Sequence, residues 1–197
     1  MENIILASSS PYRKELLSRL IKGFQAISPD IDETAEPNEN ADSLSTRLAQ
    51  QKAEAISQYH PASWVIGSDQ TVCFQEKIIG KPGSMEKAAE QLRGFSGQKA
   101  EFFTALCLMH HQNDFLRINT IKTEVHFREL KEKEIQNYLA IEKPIDCAGS
   151  FKCESLGISL FSEITSKDPT ALIGLPLISL ANFFREAGIN IYQYQLQ

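Results

Sequence analysis

Ile4-Ile5-Leu6-Ala7-Ser8-Ser9-Ser10-Pro11-Tyr12-Arg13-Lys14-Glu15-Leu16-Leu17 is the stretch whose reading decides the fold. Ile4 to Ala7 form a short apolar run suited to a buried strand. Ser10 is a natural N-cap and Pro11 a natural first helical residue. Tyr12, Leu16 and Leu20 then repeat at i, i+4 spacing with Leu17 beside them, which predicts an amphipathic helix. Gly23 is placed to end it. The Ser8-Ser9-Ser10-Pro11 loop therefore joins a strand to a helix N-terminus, where free backbone N–H groups and a positive dipole end attract phosphate. The same serines also serve as an ordinary cap. Arg13 is less ordinary, because a cation in the first helical turn is disfavoured by the dipole unless an anion lies between.

Working outward, a short strand around Phe24 to Ile27 leads into the acidic loop Asp30-Ile31-Asp32-Glu33. A second helix is expected from about Asp42 to Tyr59. Trp64-Val65-Ile66-Gly67 reads as a buried strand ending at Ser68-Asp69, with Gln70 to Phe74 continuing or hairpinning back. Gly80-Lys81-Pro82-Gly83 is a turn, and Ser84 caps a third helix ending near Gly94. Two long β segments follow, about Glu101 to His110 and Phe115 to Phe127, joined by a hairpin at His111 to Asp114. The second alternates at Ile121, Thr123, Val125 and Phe127. A helix near Lys131 to Ile141, the loop Cys147 to Ser150 and a strand near Gly157 to Phe161 come next. Asp168-Pro169 and Gly174-Leu175-Pro176 are breakers, and the last helix spans about Leu177 to Glu186 and stops at Gly188. Strands and helices mixed with a long hairpin predict an α/β or α+β protein with a mixed sheet.

Composition narrows the function. Of the 197 residues 42% are hydrophobic and 23% charged, the balance of a globular protein, and one domain is expected at this length. No apolar run is long enough to span a bilayer, and Met1-Glu2-Asn3 lacks the basic start of a secretory signal, so a cytoplasmic location is expected. A net charge of -5 argues against long nucleic acid, which needs a concentrated basic surface. A small polyanion needs only a few cations gathered locally. Cys73, Cys107, Cys147 and Cys153 form no CxxC pair and read as reduced thiols, with Cys73 and Cys107 buried as small hydrophobes.

Four further residues fall where local pattern does not require them. Lys52 lies on the apolar row of Leu44, Leu48 and Ile56, so it either snorkels to the edge or points at an anion. Asp69 stands just beyond an apolar strand, where open α/β sheets place ligand crevices. It reads as a turn former, a metal ligand or an activator of water. Glu33 lies in the acidic loop, and with Asp69 supplies oxygen ligands of the kind a hard divalent cation needs. Lys81 is held out of the helical region by Pro82. A metal-bound polyphosphate is the one partner that suits all of these charges.

Leu6 to Leu17, Asp32-Glu33, Gln51-Lys52-Ala53, Ile66-Gly67-Ser68-Asp69, Gly80-Lys81-Pro82 and Ser96-Gly97 together resemble the signature of the Maf family in order and spacing over nearly the whole chain. The resemblance implies a single Maf-like domain over residues 1–197. It implies a two-lobed Maf/inosine-triphosphatase-like α/β fold, a long mixed sheet flanked by helices with a central cleft. It also implies hydrolysis of nucleoside triphosphates to monophosphate and pyrophosphate. Carried over by position, Asp69 is the catalytic carboxylate, Glu33 and Asp69 hold a divalent cation (Mg2+ or Mn2+), and Ser8, Arg13, Lys52 and Lys81 bind phosphate. A homodimer is the family expectation.

The chain departs from the commonest family pattern at three positions. Tyr12 stands where many members carry arginine, Gln70 where many carry threonine, and the segment Ala148-Gly149-Ser150-Phe151-Lys152-Cys153-Glu154 stands where other branches place a glutamine. This set resembles the branch that hydrolyses 7-methyl-GTP. N7-methylation makes guanine cationic, and a cation favours an aromatic face such as that of Tyr12. The base also presents N–H donors that a carboxylate such as Glu154 can accept. The alternatives are dTTP or UTP as substrate, or a nucleotide-binding regulator of cell division.

Overall fold

The computed structural model describes residues 2–196. In chain order the elements are β1 (Ile4–Ala7), α1 (Pro11–Ser18), β2 (Gln25–Ile27), α2 (Ala41–Ser57), β3 (Trp64–Phe74) and β4 (Lys77–Ile79). There follow α3 (Met85–Phe95), β5 (Lys99–His110), β6 (Phe115–Phe127), α4 (Glu132–Glu142), β7 (Phe161–Ser166) and α5 (Leu177–Glu186). The strands form one mixed seven-stranded sheet in the order β2-β1-β3-β5-β6-β7, with β4 on β3. β1 pairs in parallel with both β2 and β3, Leu6 facing Ala26 on one side and Ile66 on the other. β4 pairs antiparallel with β3, and β7 antiparallel with β6. The expected mixed α/β architecture is present.

The chain divides into two compact units: Met1–Gln70 with Thr104–Ile121 and Asp168–Gln197, and Thr71–Phe103 with Lys122–Lys167. In the first, successive residues of the central strands point to opposite faces. Ile4, Leu6, Trp64, Ile66, Leu106 and Leu108 pack with Leu16 and Leu17 of α1 and Leu180 and Phe184 of α5. Ile5, Ala7, Val65, Ala105 and Cys107 pack with Ala49, Ala53 and Ile56 of α2. The second unit is built around phenylalanines. Phe95 stacks on Phe127 at 5.0 Å between ring centroids, and Phe151 meets Phe161 edge-on at 4.8 Å, both favoured aromatic geometries.

Four local expectations are corrected. α1 ends at Ser18 with Arg19 as its cap, so Gly23, at φ +75°, turns the connection to β2 instead of ending the helix. β3 runs unbroken to Phe74, so Asp69 lies inside a strand and not beyond its end. Leu156–Leu160 is a 3-10 turn and the strand begins only at Phe161. Gly157 donates its N–H to the Lys152 carbonyl at 3.0 Å, so the chain there is folded onto its own preceding loop. Cys73 is half-buried while Cys107 is buried, and all four cysteines are free thiols. Among the described residues no helix is long and apolar enough to cross a membrane.

Candidate active site

The site grows from the contact of α2 with β3. Leu44, Leu48, Lys52 and Ile56 are all buried on α2, so the lysine follows the helical period into the interior. There it does not snorkel. Its Nζ lies 2.6 Å from Asp69 Oδ1 and 2.7 Å from Glu33 Oε1. Lys52 and Asp69 are both nearly excluded from solvent, whereas the Glu33 side chain keeps 55% of its exposure. A buried ion pair of this kind survives only with close geometry, because desolvating two charges is expensive.

Gly67 makes the contact possible. A methyl group on it would overlap the Ala49 carbonyl oxygen and stand 2.9 Å from the Ala53 nitrogen. Only a residue without Cβ lets α2 approach β3 this closely. Asp69, two residues on, points to the same face of the strand as Gly67 and meets Lys52 there.

Arg13 belongs to the same constellation. Ser10 caps α1 by accepting the Arg13 backbone N–H, and Ser8 Oγ accepts the N–H of Ser10 at 3.1 Å. Ser8 is buried. Desolvation lowers the Arg13 pKa below its ordinary value, and the negative charges of Asp69 and Glu33 oppose that shift. Its Nε donates to the Gly174 carbonyl at 2.8 Å. One guanidinium edge is thus committed to backbone, which leaves the Nη groups for an anion.

Gln70 is fixed by three acceptors. Its Nε2 lies 3.0 Å from Thr104 Oγ1, 3.1 Å from the Ala171 carbonyl and 3.0 Å from the Leu172 carbonyl. Carbonyls can only accept, so the amide nitrogen must face them and Oε1 must face away. Tyr12 is half-exposed in the first turn of α1.

The first unit therefore gathers Ser8, Arg13, Glu33, Lys52 and Asp69. Lys81 and Glu154 belong to the second unit, where both are exposed. Gln91 ties their two loops: its Nε2 donates to Gly80 O at 3.1 Å and its Oε1 accepts from Ser150 Oγ at 2.5 Å. Reading the sequence missed Ser68, Thr104 and Gln91. Their only signal was polarity at buried or half-buried positions, visible once burial is known.

Asp69 and Glu33 are the residues that could hold a cation. Their carboxylate oxygens already converge on one cationic nitrogen, and oxygen donors suit a hard divalent ion whose other positions phosphates and water can fill. Among the described residues no cluster of three or more His, Cys, Asp and Glu forms a metal site. Burial, the main cause, pushes the thiols of Cys107, Cys147 and Cys153 up to about 12, so they stay protonated and weakly nucleophilic.

The chain is 46% identical over 191 residues to a protein of Pseudomonas aeruginosa named 7-methyl-GTP pyrophosphatase, covering 97% of this chain and 100% of that one. It is 48% identical over 188 residues to a protein of the same name from Pseudomonas fluorescens, covering 95% and 98%. Among solved structures, the Ham1 protein of Staphylococcus aureus aligns with 66% of this chain and 74% of its own, at 16% identity and a TM-score of 0.48. The profile of the Maf-like protein family matches residues 3–187, which takes in β1, α5 and every site residue between them, and the chain belongs to that family.

Proposed function

We propose that this protein is a nucleoside triphosphate pyrophosphatase that hydrolyses 7-methyl-GTP to 7-methyl-GMP and diphosphate, keeping the modified nucleotide out of nucleic acids. The observation that carries this reading is the buried Lys52 held between Asp69 and Glu33, with Arg13 in the field of both carboxylates. Phosphoryl transfer asks for charge neutralisation and a positioned water more than for covalent chemistry. Both cations can transfer to phosphate oxygens as the triphosphate enters, since an ion pair exchanges one anion for another. Ser8 and the amides at the start of α1 add donors; Lys81, in the second unit, is a phosphate ligand on the family's pattern. Asp69 then accepts a proton from water. The water oxygen bonds to phosphorus, the anhydride bond between the α- and β-phosphates breaks, and diphosphate leaves with the electron pair. Asp69 and Glu33 would hold a divalent cation, Mg2+ or Mn2+, which would further neutralise the phosphate charge.

The guanine base is favoured by the fixed Gln70. With Nε2 turned to backbone carbonyls, Oε1 offers an acceptor, which suits the N1–H and exocyclic N–H donors of 7-methylguanine. Glu154 offers a second acceptor and Tyr12 an aromatic face for the cationic ring. The naming of relatives at 46% and 48% identity supports the same substrate. A cytoplasmic homodimer completes the proposal.

The test is a panel of 7-methyl-GTP, GTP, dTTP and UTP assayed for diphosphate release with and without Mg2+ or Mn2+. Release should be greatest with 7-methyl-GTP, require the cation, and disappear in Asp69→Asn. Undiminished activity in that variant would remove Asp69 from the mechanism. An unchanged substrate ranking in Glu154→Gln would remove Glu154 as selector.

A further inference from the structure

Arg13 and Gln70 lean on the same short segment. Gly174 O accepts Arg13 Nε at 2.8 Å, and Ser68 Oγ lies 2.9 Å from Gly174 O and 2.8 Å from Ala105 O, donating its one proton to either. Ala171 O accepts Thr104 Oγ1 at 2.9 Å and Gln70 Nε2 at 3.1 Å, and Leu172 O accepts Gln70 Nε2 at 3.0 Å. Ala171–Ile173 is a single 3-10 turn. Ala171 O also accepts the Gly174 N–H that closes the turn, at 2.9 Å, and its remaining acceptor capacity, like the carbonyls of Leu172 and Gly174, is spent on side chains from β3, β5 and α1.

The segment is closed at its two ends by a buried carboxylate. Asp168 is 1% exposed. Its Oδ2 accepts the N–H groups of Ile178 at 2.8 Å and Ser179 at 3.2 Å at the start of α5, and its Oδ1 accepts the Thr170 N–H at 3.1 Å. The Thr170 hydroxyl lies 2.8 Å from both Asp168 Oδ1 and Leu175 O, donating its proton to one of them. The same hydroxyl accepts the Leu177 N–H at 2.8 Å. Both flanks of the turn are thereby tied together around one carboxylate and one hydroxyl. Gly174, at φ +121°, adopts a backbone that a side chain would strain, and a Cβ there would stand 3.4 Å from Arg13 Nε.

We infer that residues 168–177 are a positioning strap, with Asp168 and Thr170 as positioning residues. They hold three carbonyls in the directions that aim Arg13 at phosphate and Gln70 at the base. The inference rests on the nucleotide pyrophosphatase reading for its consequence but not for its geometry. An error of about 1 Å at a positioned group costs on the order of 100-fold in rate, so loosening the strap should cost activity without touching any group that meets substrate.

Two measurements on Thr170→Val and Thr170→Ser test it. The first is hydrogen exchange at Arg13 Nε–H by NMR, the resonance being assigned by its loss in Arg13→Lys. This readout needs no turnover. The second is the ratio of kcat/KM for 7-methyl-GTP over UTP, which is independent of the fraction of enzyme folded. The valine variant should exchange Arg13 Nε–H at least about tenfold faster and lose about tenfold in the nucleotide ratio, and serine should restore both. A purely structural threonine would lower the melting temperature and leave both readings unchanged, and either one unchanged overturns the inference. If valine prevents folding, Asp168→Asn is read in the same way. Wild-type protein that releases no diphosphate from any nucleotide would sink the functional reading, and Arg13 exchange alone would then decide whether the strap holds Arg13.

Discussion

The backbone of Gly67 passes so close to Ala49 that a methyl group on the glycine would stand 2.1 Å from the alanine's carbonyl oxygen. The first prediction follows from it. Gly67→Ala must push α2 off β3, and overpacking of this kind costs about 1–3 kcal/mol. Lys52 rides on α2, so the ion pair with Asp69 opens as well. Urea denaturation should show the stability loss, and kcat/KM for 7-methyl-GTP should fall by more than the folded fraction accounts for.

Lys52→Met tests the ion pair itself. Removing one member of a buried pair leaves its partner's charge poorly compensated, which costs about 3 kcal/mol. The double variant Lys52→Met with Asp69→Asn removes both charges and should be less destabilised than the sum of the two single variants, since contacting residues couple. Simple additivity in a double-mutant cycle would show that the pair contributes nothing to the fold.

Ser57 offers a gain. It closes α2, and its buried Oγ has no hydrogen-bond partner among the described residues. Burying an unpaired hydroxyl is unfavourable, and alanine is also the better helix former. Ser57→Ala should stabilise the protein by about 1 kcal/mol, seen as a higher denaturation midpoint at unchanged slope.

Alkaline pH should weaken the fold. Cys107, Cys147 and Cys153 are each raised from an ordinary 9.0 to about 12, mainly by burial. Below 9.0 their thiols are protonated in folded and unfolded chains alike, and their contribution is complete. Between 9.0 and about 12 the unfolded chain releases protons that the folded chain keeps, so unfolding gains as pH rises. Denaturation midpoints at about pH 8 and about pH 10.5 should fall less for a variant with all three changed to alanine than for wild type. Equal falls would place the alkaline sensitivity elsewhere.

Much of the site was legible because it follows local periods. The short apolar runs Ile4 to Ala7 and Trp64 to Gly67 marked β1 and the start of β3. The 3.6-residue period of Leu44, Leu48 and Ile56 put Lys52 in the interior, where it is found. Arg13 drew notice because a cation in a first helical turn conflicts with the helix dipole. The continuation of β3 through Asp69 was not legible, since Gln70 to Phe74 suits either a strand or a turn back, and pairing with β4 settled it.

The chain's letters alone determined the family, the mixed α/β class and which charges were out of place, because each is a matter of residue type and short spacing. Tertiary structure decided which atoms hold those charges. Arg13 and Gly174 are 161 positions apart, and the group that binds the arginine is a backbone carbonyl. Every residue carries one, so nothing in the sequence distinguishes the carbonyl that will be used. Only the path of the folded chain selects it.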